Sequence, residues 1–316
     1  GTVLTHLTGG SAGREGAALQ LGGCLSGSLG RVLRLDDKDE RIITMCGMAG
    51  GFSALFGTPL AAAVFAMEVE SIGVMYYAAL VPCVLSALIA KVISGLFGVA
   101  STSFTLAAIP ELSAISLLQT IGLGIVFGAL ASLFCRAMHM GGTLYKKIEN
   151  PYLRIVAGGC IVVLLSLLVR SGDYNGAGMS VISAALAGHA VPWAFALKIV
   201  FTVLTLGAGF KGGEIVPCFF VGATCGCVVA PLLGMDAGFG AALGLIAVFC
   251  GVTNSPMTSI LLGYELFGGQ GLALLAMCAA VSYLLSGYSG LYREQKIIYS
   301  KTSPVFIGRK GGEEKQ

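Results

Sequence analysis

Long apolar blocks separated by short charged connectors make up most of the chain. A helix needs about 20 apolar residues to cross the hydrocarbon core of a bilayer, and blocks of that kind lie near 42–67, 74–98, 115–139, 153–170, 192–210, 215–234, 238–266 and 270–288. Several are broken. Gly57-Thr58-Pro59 interrupts the block at 42–67 and Asn254-Ser255-Pro256 the one at 238–266, while stretches 9–27 and 212–229 are short and glycine-rich. Backbone released by a break at membrane depth must be buried in protein or line a cavity, so a pathway is expected at these four segments. The connectors 31–41 and 145–154 and the tail from Arg293 carry Lys and Arg, which predicts the cytoplasmic side, whereas "SGDYNGAG" at 171–178 carries neither and is assigned to the outer side or to a re-entrant turn.

Composition agrees with the blocks. With 56% hydrophobic and 11% charged residues and a mean hydropathy of +0.87, the chain reads as an all-α integral membrane protein in contact with lipid. Its 47 glycines suggest helices packed backbone to backbone. A net charge of +3 says little, and without a basic stripe interleaved with aromatics there is no support for nucleic-acid binding. The ten cysteines fall almost entirely in apolar blocks and are read as small buried hydrophobes, with no paired set for a metal; no cofactor is expected.

Two stretches repeat. "GREGAALQLGGCLSG" (13–27) and "GGEIVPCFFVGATCG" (212–226) match Gly13 to Gly212, Glu15 to Glu214, Gly23 to Gly222 and Gly27 to Gly226 at a spacing of 199. "GTPLAAAVFAMEV" (57–69) and "NSPMTSILLGYEL" (254–266) match Pro59 to Pro256 and Glu68 to Glu265 at 197. Repeated membrane bundles with paired broken helices are the signature of secondary transporters, with the site at the repeat interface. The organisation expected is the remainder of a first repeat over 1–110, a second repeat over 111–290, and a cytoplasmic helix and tail over 291–316. The chain begins at Gly1 with no signal-peptide pattern, and it reads as a piece lacking roughly a hundred residues of upstream helices that a complete first repeat would contain.

A helix that starts inside the membrane presents unsatisfied N–H groups and about half a positive charge, which makes an anion site without a cation. Gly13, Gly16, Gly212 and Gly213 allow close approach of the backbone to a small ion. Glu15 then has two possible roles. Its carboxylate can occupy the electropositive helix start and leave when it takes a proton as an anion arrives, or it can merely pair with Arg14 in a helix-start turn. Glu68 and Glu265 are read as caps or snorkelling groups, and His6 as a hydrogen-bonded structural residue.

The ordered motifs resemble one family. "GREGAALQLGG" is similar to the GREGP motif of the CLC chloride channels and transporters, with Glu15 in the place of the gating glutamate; "GGEIVP" stands where the family has GxFxP, and "GLYREQ" resembles the stretch with the central pore tyrosine, here Tyr292. The resemblance implies a CLC-type fold of two inverted-topology repeats with broken, tilted helices. It also implies an anion site formed by Gly13, Arg14, Gly16, Gly213, Glu214, Ile215, Val216 and Tyr292. Ala17 in place of the motif's proline, the extra Glu214, and Val69 at the position of the inner proton-relay glutamate resemble the fluoride/proton antiporter branch; Val216 stands where that branch can carry threonine. The function implied by this likeness is that of a homodimeric exporter of fluoride in exchange for protons in a plasma membrane, that of a bacterium. A chloride/proton exchanger or passive chloride channel is the second reading. An intramembrane enzyme using two glutamates as acid and base lacks any HExxH or GxSxG motif.

Overall fold

The computed structural model describes residues 1–303 and 305–310. Its first part contains α1 (Thr2–Leu7), α2 (Glu15–Val32), α3 (Asp37–Phe56), α4 (Pro59–Glu68) and α5 (Leu80–Leu96). After a non-helical crossing come α6 (Ala114–Tyr145), α7 (Pro151–Val169), α8 (Met179–Leu186), α9 (Ala194–Gly207), α10 (Ile215–Val229), α11 (Ala237–Thr253), α12 (Pro256–Phe267) and α13 (Leu272–Leu285).

The caps reveal the repeat. Arg14 and Glu214 precede α2 and α10 with nearly the same backbone (φ −109°, ψ −11° and φ −105°, ψ −14°), and Asp36 and Asp236 cap α3 and α11 by accepting amide N–H groups of their first turns. Both pairs are 200 apart. Helix α11 has 17 residues where α3 has 20, so the spacing falls to 197 at the left-handed C-caps Gly57 and Asn254 and at the N-terminal prolines Pro59 and Pro256. The spacing of 199 read from the sequence is therefore off by one at the helix starts: Glu15 corresponds to Ile215, and Glu214 to Arg14. Gly13 and Gly16 around Glu15, and the pair Gly212 and Gly213 before Glu214, let the match slide by a residue without penalty.

Close glycine packing joins α2 to α3 and α10 to α11. A Cβ on Gly22 would lie 2.0 Å from the Gly47 carbonyl oxygen, and one on Gly222 would lie 2.2 Å from that of Gly244. In lipid, where apolar surface alone gives no drive to associate, such backbone approach is a main source of helix–helix attraction.

The two halves also cap each other. The Glu265 carboxylate accepts the N–H groups of Leu60 (3.1 Å) and Ala61 (2.9 Å) at the start of α4. Glu68 in turn accepts those of Met257 (3.1 Å) and Thr258 (2.8 Å), plus the Thr258 hydroxyl (2.7 Å), at the start of α12. Each glutamate satisfies amide donors that a proline-led helix leaves open and places negative charge on its positive end. Glu68→Ala and Glu265→Ala are each expected to cost about 0.5–2 kcal/mol of stability, the range for a lost N-cap. Thermal unfolding in detergent checks this, with a lowered midpoint expected and no change in ion selectivity.

Among the described residues, four helical stretches are long and apolar enough to cross a membrane: Tyr77–Leu96, Ala114–Tyr145, Pro151–Val169 and Ile215–Leu233. They differ in place. Pro151–Val169 is mostly exposed and offers Val156, Val163, Leu164, Leu167 and Leu168 to the surroundings, whereas Ile215–Leu233 is largely enclosed by its neighbours. The centre of the molecule is thus α10 with α11, and the periphery is apolar, as a lipid-facing surface must be.

Two expectations change. Residues 291–295 form a turn rather than a helix, and the tail continues as β2 (Lys296–Tyr299) and β3 (Phe306–Lys310), which join β1 (Ser71–Ile72) in a small sheet, β1 parallel to β2 and β2 antiparallel to β3. The strand edge at 70–72 captures the tail, since Lys296 N–H donates to Glu70 O, while the Gln295 side chain donates to Val69 O and Thr253 O. Part of the expected tail, residues 311–316 and Pro304, lies outside the described residues. Finally, Cys24 and Cys160 are exposed on the apolar periphery rather than buried, although seven other cysteines are.

Candidate functional site

Helices α2 and α10 start face to face. Gly13 and Gly213, one residue before each N-cap, exchange both backbone hydrogen bonds in an antiparallel bridge (Gly13 N–H to Gly213 O, 2.8 Å; Gly213 N–H to Gly13 O, 2.9 Å). Neither Arg14 nor Glu214 turns its side chain back to cap the helix it precedes. The open amides of α10 are instead met from the other half. Val216 N–H donates to Glu15 Oε1 at 3.0 Å, and the amides of Glu15 itself, Ile215 and Arg14 also lie close enough to act on the carboxylate.

Glycine makes room for this. A Cβ on Gly13 would lie 2.0 Å from Glu15 Oε2, and one on Gly213 would lie 2.3 Å from Oε1 and 2.8 Å from the Gly16 nitrogen. Glu15 has no exposed surface, and among the described residues its Oε2 has no hydrogen-bond donor. A buried carboxylate oxygen without a donor is costly, and it is the atom on which a proton would relieve that cost. The pairing of Glu15 with Arg14 is not formed: the Arg14 side chain is exposed and makes no ion pair with it among the described residues.

The other predicted residues divide. Gly13, Gly213, Ile215 and Val216 are buried around the carboxylate, and Gly16 packs against the Gly213 backbone. Glu214 is half-buried and feels the charge of Glu15. Tyr292 is brought in from 77 residues beyond the start of α10, close enough to be influenced by both Glu214 and Glu15. His139 fixes it there, its ring meeting the Gly290 carbonyl at 2.8 Å and accepting from Arg293 at 3.0 Å. Arg14 alone points away.

A cavity of about 840 Å³ leads to this point, with Gly16, Leu19 and Tyr292 at its inner end and Asp37, Arg41 and Glu70 among its rim. Asp37 and Arg41 of its rim belong to the connector 31–41, which its basic residues assign in sequence to the cytoplasmic side. Val69 lines it too, while Glu68 beside it is committed to capping α12. The segment 171–178 is held against the protein: Tyr174 is buried, and Gly176 N–H donates to Gly10 O at 2.9 Å. His6 likewise has a structural bond, to Gly13 O at 3.4 Å. The buried Lys198 is not among the residues expected from the sequence, and its one available signal is a single charge set in an apolar block.

A head-to-head pair of broken helices with a glutamate inserted between them is a specific arrangement, and it has relatives. The family pattern for the voltage gated chloride channel matches residues 1–287. The chain belongs to the voltage-gated chloride channel family. One relative in it, a chloride/fluoride channel protein of Pseudomonas syringae pv. tomato, is 41% identical over 308 residues, covering 95% of this chain and 68% of its own length. The voltage-gated ClC-type chloride channel ClcB of Salmonella dublin is 28% identical over 74% of this chain, which spans 56% of that protein. Among solved structures of the family, a CLC-type fluoride/proton antiporter superposes with a TM-score of 0.90 at 38% identity, covering 93% of this chain and 75% of that one. A slow cyanobacterial Cl⁻/H⁺ antiporter shares the fold, with a TM-score of 0.77 at 20% identity over 90% of this chain and 70% of that one. The chain is thus a multi-pass membrane protein of a family of ion-transport proteins, with the helical CLC fold.

Proposed function

We propose that this chain exchanges fluoride for protons, exporting the halide. The observation that carries this reading is the Glu15 carboxylate on the Val216 amide at 3.0 Å: an anionic side chain occupies the positive end of α10, where a free halide would bind. Protonation of Oε2 removes the negative charge and weakens the hold of the amide. The neutral side chain then leaves, and an anion takes its place. Because carboxylate and halide need the same donors, the amides hold either the ionised Glu15 or a halide with Glu15 protonated, so each change of anion is tied to a proton taken up or released; with the two ions moving in opposite directions this is exchange.

Fluoride is favoured over chloride by the second carboxyl. Fluoride is a small, strong hydrogen-bond acceptor, and a protonated Glu214 beside the site donates to it with a short charge-assisted bond that a larger halide uses less well. Tyr292 supplies a further hydroxyl at the head of the cytoplasmic cavity. Val69, apolar and without a proton to give, sends the proton by another route than the relay position of chloride/proton exchangers. Support for the fluoride reading comes from the likeness to the fluoride/proton antiporter that superposes at a TM-score of 0.90, and from that to the chloride/fluoride channel protein. The setting that goes with it is the inner membrane of a bacterium and a pair of chains side by side in lipid.

Purified protein in liposomes tests the reading. An outward fluoride gradient should drive proton uptake, and chloride should not substitute. Glu214→Ala should retain the fold and lower the fluoride-to-chloride flux ratio by about tenfold, the worth of one good hydrogen bond to a charged group. An unchanged ratio removes Glu214 from selectivity.

A further inference from the structure

Lys198 lies in α9 with no exposed surface. Its ammonium donates to the carbonyls of Tyr174 (3.1 Å) and Gly176 (2.8 Å) and stands 5.0 Å from the centroid of the Phe220 ring. Among the described residues no carboxylate comes within ion-pair distance of it. Carbonyl dipoles and a ring face ease the burial of an ammonium but leave its charge uncancelled in a low-dielectric interior.

That charge is aimed by the fold. Phe220 sits on the second turn of α10, just beyond the Val216 amide that holds Glu15. Gly176, which accepts from Lys198, donates to Gly10 O, and the next residue, Ser11, is bonded to Thr205 and Thr202 of α9 at 3.0 and 3.1 Å. The lysine is therefore tied through these contacts to Phe220 of α10 and to the Gly10–Ser11 segment that leads into the glycine bridge.

We propose that Lys198 is a positioning residue for the transported anion, a fixed positive charge that keeps one negative charge at the Val216 amide, carried by Glu15 or by the halide in turn. The inference rests on the exchange reading above and gives it a reason to be tight. With the protonated lysine nearby, a site that has lost both the halide and the ionised carboxylate is disfavoured, so departure of an anion draws Glu15 back and expels its proton. Leak without exchange is suppressed by electrostatics rather than by a mechanical plug.

A purely structural lysine, present only to hold the 174–176 carbonyls, makes a different prediction. Calorimetric titration of fluoride, and of chloride in parallel, into purified wild type, Lys198→Arg, Lys198→Gln and Lys198→Met separates the two. Loss of charge in Gln and Met should weaken halide binding by about tenfold or more, the size expected for a full charge acting beyond contact distance in an interior of low dielectric. Arg should stay within about threefold of wild type. Gln can still donate to a carbonyl, so it remains informative if Met fails to fold. The inference is overturned if Gln binds as tightly as wild type, if Arg loses as much as the neutral variants, or if wild type itself gives no binding. Proton flux from the same wild-type preparation keeps the two claims apart: tight fluoride binding without fluoride-driven proton movement defeats exchange and leaves the charge result standing.

Discussion

Glu15→Gln abolishes fluoride-driven proton uptake in liposomes, with a fall of roughly a hundredfold or more, the usual worth of a positioned acid–base group. Glutamine has nearly the shape of glutamate, so the cradle of Gly13 and Gly213 still accepts it, and its amide oxygen can still receive the Val216 N–H that now lies 3.0 Å from Oε1. What it lacks is a titratable oxygen. The position of Oε2, buried and without a donor, becomes an amide nitrogen that neither takes up nor releases a proton across the site. Glu15→Ala removes the plug as well and should lose coupling to the same degree. Any anion flux that persists in either variant runs without protons. Undiminished fluoride-driven proton flux in either one refutes the assignment of Glu15.

Gly213→Ala produces the second large effect, through geometry alone. The new methyl would sit 2.3 Å from Glu15 Oε1 and 2.8 Å from the Gly16 nitrogen. A carboxylate can swing aside, but the Gly16 backbone begins α2 and cannot move without disturbing the Gly13–Gly213 bridge. Overpacking of this kind costs about 1–3 kcal/mol. The thermal midpoint should fall, and exchange should drop by about tenfold or more as the carboxylate is driven off the Val216 amide. Gly142→Ala on α6 is the matched control, because a Cβ there meets nothing within 4 Å. It should leave flux unchanged and the midpoint unchanged or slightly raised, as alanine favours a helix over glycine. A wild-type midpoint and flux in Gly213→Ala would contradict the cradle.

The breaks and the spans are legible in the sequence because both are written in composition: apolar blocks of membrane length, and prolines or glycines inside them. Glu15 can be found because a carboxylate is rare in such a block. The register of the repeat is not legible to the residue. The glycine pair before Glu214 leaves the match undetermined by one residue, and the spacing of 200 emerges only from the capping aspartates Asp36 and Asp236 and the bridge between Gly13 and Gly213. That correction has chemical content, since it makes Glu15 and Glu214 non-equivalent: one lies across the opposite helix start, and the other precedes its own. The tail reads as a polar helix in sequence, but its start is fixed by contacts far away along the chain that the sequence does not display: the Gln295 side chain donates to the carbonyls of Val69 and Thr253. Arg14, adjacent to Glu15 in the chain, is the N-cap of α2 but leaves its side chain exposed and without a cap bond.

The central claim is that a halide and the Glu15 carboxylate compete for the same amides. Infrared difference spectroscopy on adding fluoride to the purified protein addresses it most directly. Competition predicts loss of a carboxylate band and gain of a protonated carboxyl band, both absent from Glu15→Gln. Fluoride bound by calorimetry while the Glu15 carboxylate signal stays unchanged would show that the two occupy separate places, and would contradict the account.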